Sequence, residues 1–185
     1  MSFRRFNDEG FTGLEAAIVL IAFVVVAAVF SYVVLGAGFF TTQKAQETVY
    51  KGVEQSTANI QMIGNVYGLS TDSKTITNIT FSIGLAPGAS AIDLTMMKIV
   101  FSTPTTAPVI LNQTGSAAST TSFTTTIGDN KVTSMNPNDQ VVINFNVAGV
   151  TANTKMNIEL RPSVGAALPF SKTAPATITN TTVLF

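Results

Sequence analysis

Between Ala16 and Gln43 the chain carries no charged residue, and Ala, Val, Ile, Leu and Phe fall around the whole circumference of any helix drawn through it. Such a helix has no polar face, so lipid or protein must cover it on all sides. The run from Ala16 to about Leu35 meets the roughly 20 residues needed to span a bilayer. It is longer than a secretory core of about 7–15 residues, and no A-x-A cleavage pattern follows it. Ala16, Ala17, Ala22, Ala27 and Ala28 lie among the large side chains, and small residues let helix backbones approach closely.

From Lys44 the pattern turns amphipathic. Ala45, Val49, Val53, Ser56, Ile60 and Ile63 recur at spacings of three and four, with Lys44, Glu47, Lys51 and Glu54 as neighbouring opposite charges. This periodicity predicts one helix from Phe11 to a stop near Gly64, roughly 80 Å long at 1.5 Å per residue. Gly36, Gly38 and Gly52 are its weak points.

After about Tyr67 the period changes to two. Ile79, Phe81, Ile83 and Leu85 alternate with polar residues, then Ala86-Pro87-Gly88-Ala89 reads as a turn. Ile92, Leu94 and Met96 share one parity and Met97, Ile99 and Phe101 the other, which predicts a bulge or face change at Met96-Met97. Val141 to Val147 alternates up to an Ala148-Gly149 turn, and Met156 to Leu160 alternates up to Pro162. Shorter candidates are Val109–Leu111, Ser122–Ile127 and Thr177–Phe185. About seven strands with frequent turns predict an antiparallel, Ig-like β-sandwich. The fold class is therefore α+β: a long N-terminal hydrophobic helix, then a sandwich. The domain plan is a polar leader over 1–10, a hydrophobic helix of membrane-spanning length over 11–66 and a β domain over 67–185.

Composition narrows the function. Charged residues are 11% of the chain and the formal net charge is zero, so no basic patch exists for nucleic acid. There is no Cys and no His, which removes disulfides, thiolate chemistry, nearly all zinc sites and the commonest general base. No nucleophile–base pair, phosphate-binding Gly loop or paired carboxylate is present. The chain reads as no enzyme, with no cofactor and no metal. Asp129-Asn130 and Asn136-Pro137-Asn138-Asp139 offer oxygens to Ca²⁺, yet lack the EF-hand spacing and read more simply as turns. Glu15 stands out: one carboxylate at the head of an uncharged segment is costly in lipid and calls for a partner. The plainer reading is a helix-start acid at the headgroups, helped by the helix dipole. Ahead of it lies a polar leader, Met1 to Gly10, in which Arg4 and Arg5 balance Asp8 and Glu9.

Gly10 followed by Phe11-Thr12-Gly13-Leu14-Glu15-Ala16-Ala17-Ile18-Val19-Leu20-Ile21-Ala22-Phe23 resembles the N-terminus of the archaellins, the archaeal flagellins of the type IV pilin-like superfamily. The resemblance is strong to about Leu35 and looser to Gln55. It has echoes in Ile92-Asp93-Leu94 and in Glu159-Leu160-Arg161-Pro162 followed by Gly165. It implies a leader cut between Gly10 and Phe11 by a membrane-embedded aspartic peptidase. It also implies residence in the membrane as a single span, then assembly into a homopolymeric filament with helices inside and sandwiches outside. That extracellular filament, the archaellum, is rotated for swimming by an ATP-driven motor of other proteins. One departure is Glu9 where the family often has a basic residue. In the related pilins the acid matching Glu15 pairs with the α-amino group of a neighbouring subunit, here that of Phe11. The family is commonly glycosylated, which makes acceptors of three Asn-x-Thr sequons: Asn78, Asn112 and Asn180. An adhesion-type archaeal pilin is the alternative within this class, and a single-pass anchored surface binding protein the alternative outside it.

Overall fold

The computed structural model describes residues 8–185; Met1 to Asn7, with Arg4 and Arg5 of the leader, lie outside the described residues, as do the side chains of residues 8–12. The chain divides into two compact units, one ending at Tyr50 and one over Lys51–Phe185. Helix α1 runs over Asp8–Thr57 without a break at Gly36, Gly38 or Gly52. Hydroxyls near those glycines are satisfied within the helix: Thr41 Oγ1 donates to the Ala37 carbonyl and Thr42 Oγ1 to that of Gly38, both at 2.8 Å. Lys44 Nζ meets Glu47 Oε2 at 2.7 Å, the ion pair that the spacing predicts.

The helix stops at Thr57, not near Gly64. Residues 60–66, which the three-and-four spacing assigned to the helix, begin the first strand. Strand β1 spans Ile60–Leu69 and β2 Ile76–Leu85, and they pair antiparallel from Ile60↔Leu85 to Leu69↔Asn78. Ile60 and Ile63 suit either period. The ladder to β2 pairs seven residues of β1, Ile60 to Ile63 and Tyr67 to Leu69, whose backbone a frayed helix end would leave to water.

The remaining strands are β3 (Ile92–Asp93), β4 (Lys98–Ser102), β5 (Val109–Gln113), β6 (Ser122–Ile127), β7 (Asn130–Lys131), β8 (Ser134–Met135), β9 (Val141–Val150), β10 (Lys155–Arg161), β11 (Leu168–Thr173) and β12 (Thr181–Leu184). One sheet follows the order β11-β10-β4-β5-β6-β9-β2-β1-β12, with β7 beside β6, while β3 and β8 pair separately. Pairing is antiparallel except between β5 and β6, which run parallel. More strands form than the sequence suggested, since β1, β11 and the two-residue bridges have weak alternation.

The sheet curls into two facing layers. Phe81 on β2 meets Phe170 on β11 edge-on at 5.4 Å, and Phe101 on β4 meets Phe145 on β9 at 5.9 Å, although neither strand pair is hydrogen-bonded. Between the layers lie Phe81, Phe123, Phe145, Ile79, Ile143 and Leu111, all essentially inaccessible to water. The curl nearly closes: Thr173 N donates to the Phe185 carbonyl at 2.7 Å and Phe185 N to that of Thr173 at 3.2 Å.

Two local expectations change. Of the two options at Met96-Met97 the face change holds, made by a tight turn and not by a bulge within a strand: Met97 N donates to the Leu94 carbonyl at 3.2 Å. The turn buries Leu94 and Met97 and leaves Met96 69% exposed. Ala148-Gly149 is not a chain reversal but an irregularity inside β9, where the register to β2 passes from Asn78↔Asn146 to Ile76↔Val150. Gly149 has φ +79, the left-handed geometry that favours glycine.

Candidate functional site: an uncovered apolar helix

Among the described residues of the first unit, no large apolar side chain of the helix is buried. Phe23 is 71% exposed, Phe30 69%, and every other large apolar residue from Leu14 to Phe40 is similarly open. Soluble monomers rarely show apolar patches of more than a few hundred Å². The helix over Gly13–Thr57 includes an apolar stretch long enough to cross a membrane. A Cβ added at Gly13, Gly36, Gly38 or Gly52 would meet nothing within 4 Å, so the room at these glycines is available to another chain. Glu15 lies on this helix as an exposed residue, one turn from Phe11, with Gly10 preceding within the same helix. The side chain of Phe11 is outside the described residues.

The three sequons sit in different surroundings. Asn112, on β5, is exposed, and its side chain forms none of the described hydrogen bonds. Asn180, just before β12, is exposed and accepts from Ser73 Oγ at 2.9 Å. Its sequon hydroxyl on Thr182 is 7% exposed and held in the turn with Thr179. Asn78 is half-buried. Its Nδ2, the atom that would carry a sugar, donates to Asn144 Oδ1 at 2.6 Å and Asn146 Oδ1 at 2.8 Å. Asn144 Nδ2 then donates to Thr80 Oγ1 and Asn146 Nδ2 to the Ala118 carbonyl. Alternation places Asn78 away from the core, but Asn144 and Asn146, on the adjacent strand, occupy its amide. Local spacing carries no sign of these partners, more than sixty residues away.

The acidic loops bind their own backbone. Asp139 Oδ2 accepts from Asn136 N at 2.9 Å and Asn136 Nδ2 at 3.1 Å. Asp72 accepts from Thr75 N, Lys74 N and Ser70 Oγ, which hold its carboxyl far below the usual carboxylate range. Thr95 Oγ1 and N lower that of Asp93 in the same way. Among the described residues no three metal-ligating side chains cluster. A shallow groove of about 380 Å³ lies on the β4–β10–β11 layer, lined by Val100, Ser102, Asn157, Glu159, Pro169 and Ser171 among others. Glu159 there accepts two bonds from Arg161, at 2.9 and 3.0 Å, and is spoken for. The groove brings no nucleophile to a base. The feature that demands a function is the helix.

Comparison with known proteins agrees. The family model described as archaeal-type flagellin matches residues 10–172. The chain is 40% identical to "Probable flagellin 1" of Archaeoglobus fulgidus over 96% of both chains. It is 91% identical to the "24 kDa flagellin" of Methanospirillum hungatei over 32 residues, which are 17% of this chain and all of that one. Among solved structures, the archaeal flagellum of Methanospirillum hungatei strain JF1 is similar with a TM-score of 0.73 and 34% identity, covering 94% of this chain and 99% of that one.

Proposed function

The chain belongs to the archaeal-type flagellin family and is a structural subunit of the archaellum filament, an extracellular appendage of swimming cells; within that role we propose how it is processed, stored, assembled and modified. The observation that carries the reading is an apolar helix with no cover of its own. Before assembly, lipid covers it and the chain is a single-span membrane protein. Arg4 and Arg5 hold the leader at the cytoplasmic face by the positive-inside preference. A leader peptidase cuts between Gly10 and Phe11, which removes the charged leader, including the first residues of the helix, and creates an α-amino group ahead of the apolar run. In the filament, neighbouring helices replace lipid.

Glu15 and the α-amino group of Phe11 then neutralise each other between subunits. Such an amine has an ordinary pKa of about 7.7–8.0 and is largely cationic near neutrality. Pairing removes the cost of leaving either charge alone in an apolar core. N-glycans are carried at Asn112 and Asn180, the two exposed sequons, whereas the Asn78 amide serves the β2–β9 network. The motor machinery acts on this polymer from outside the chain, and the subunit itself catalyses nothing.

Mass spectrometry of protein from sheared filaments tests these assignments together. The expected result is an N-terminus at Phe11, sugar on the Asn112 and Asn180 peptides and an unmodified Asn78 peptide. Filament chains that retain Met1 or Ser2 would refute the processing step, and sugar on Asn78 would refute the assignment of its amide.

A further inference from the structure

The two outer faces of the sheet domain differ in charge. Strands β6, β9, β2, β1 and β12 are contiguous in the sheet and contain no charged residue. Their outer face is a field of Asn and Thr with Tyr67, Leu69 and Val183 among them, each 37–39% exposed. Tyr67 pairs with Val183 and with Thr80, and Leu69 with Asn78, so the apolar side chains adjoin the amide network across one side of the sheet. The amides there bond to one another and are not left asking for water. Thr124, on the same outward parity opposite Asn144, is only 9% exposed.

The opposite layer is marked by charge. One row crosses it as Asn112, Lys98 and Arg161, and the next as Ile110, Val100, Glu159 and Pro169. Lys155 stands further along β10. Of the two exposed sequons, Asn112 lies on this side, and Asn180 stands just before β12, at the rim of the other. Solvated surface carries Lys, Glu and Arg as a rule, whereas the centre of a protein interface is depleted of Lys, Glu and Asp and enriched in Tyr. In a filament each subunit is surrounded by copies of itself, so the covering partner for a charge-free face is already defined.

We propose that the outer face of β6–β9–β2–β1–β12 is the interaction surface that packs against a neighbouring copy of this chain in the filament, and that the β4–β10–β11 face, with Asn112, forms the solvent surface. In a helical filament the neighbour meets this face with a different part of its own surface, a heterologous contact, which builds open assemblies rather than closed dimers. The neutral face also removes like-charge repulsion between repeating copies.

The chain has no cysteine, so single thiols report their own surroundings. Val183→Cys and Ser171→Cys place one on each face. With N-ethylmaleimide, both should react readily in detergent-solubilised subunits. In intact filaments Ser171→Cys should react at the same rate, and Val183→Cys about tenfold more slowly or less, as expected for a buried interface position. Equal rates in filaments, or protection of Ser171→Cys instead, would overturn the assignment. A charge gives a second reading. Val183→Lys should abolish filaments while leaving a protease-resistant membrane pool, and Ser171→Lys should assemble. Normal filament yield from Val183→Lys would also overturn it. Filaments of the unaltered chain, seen by electron microscopy, test polymerisation separately from sidedness.

Discussion

The carbonyl oxygen of Ala58 fills the place where a side chain on Gly165 would begin: a Cβ built there would stand 1.7 Å from it. Gly165 also has φ +100, a conformation open to glycine and strained for any other residue. Ala58 itself is 1% exposed, and the Asn59 carbonyl next to it accepts from Ala86 N at 2.9 Å. The start of the sheet domain is thus seated on glycine backbone.

Gly165→Ala should therefore be strongly destabilising. Strain and a backbone clash together cost about 3 kcal/mol or more, which lowers the melting temperature of a chain this size by roughly 6–12 °C. Thermal unfolding of the full chain in detergent, followed by the β-sheet circular dichroism signal, measures it. An unchanged midpoint would mean that the Ala58 segment moves aside freely.

The sheet domain begins earlier than the change of period near Tyr67 suggests. A chain starting at Ala58 should fold as a soluble monomer, because it retains all of β1 and the Ala58 seat. A chain starting at Tyr67 should not, because it loses Ile60 and Val66 from the core and most of the ladder to β2. Circular dichroism and size exclusion of the two would decide between a boundary near residue 58 and one near residue 67.

Asp72 makes the β1–β2 loop sensitive to acid. Its folded pKa is depressed, first by the Thr75 and Lys74 amides, so the folded state favours the carboxylate. The stabilisation is complete above the ordinary carboxylate pKa of about 3.9 and is lost as pH falls from there through the lower folded value. Asp72→Asn should be less stable than the parent at pH 7, and the gap should narrow below about pH 4. Urea unfolding at a series of pH values reads the gap directly; a constant difference would remove the linkage.

Glu15→Ala should impair assembly more than membrane insertion. Removing a charge from an apolar helix makes insertion easier. On the proposed pairing it also leaves the α-amino group of Phe11 buried without its partner, and an unpaired buried charge costs about 3–5 kcal/mol. The comparison is membrane-pool protein against sheared filament in cells whose only subunit is the variant. Normal filament yield and length would reduce Glu15 to a helix-start acid.

The helix was written in the chain from Ala16 onward, because an uncharged run with no polar face has only one secondary structure that satisfies its backbone in an apolar medium. Strong alternation likewise marked β2, β9 and β10, where every second residue enters the core. The resemblance at Gly10 to Phe23 was legible because those residues are contiguous, and the proposed processing site and the proposed role of Glu15 rest on it. Three matters waited for the tertiary structure. The helix end moved to Thr57 because Ile60 and Ile63 fit both periods, and only pairing with β2 chooses between them. The amide bonds of Asn78 go to Asn144 and Asn146, which reach it through sheet pairing across more than sixty residues. The charge-free face exists only once strands far apart in sequence lie side by side. Local pattern fixes the conformation of a segment and the side it turns to the core; which segments become neighbours is decided by long-range pairing, and surfaces are made of neighbours.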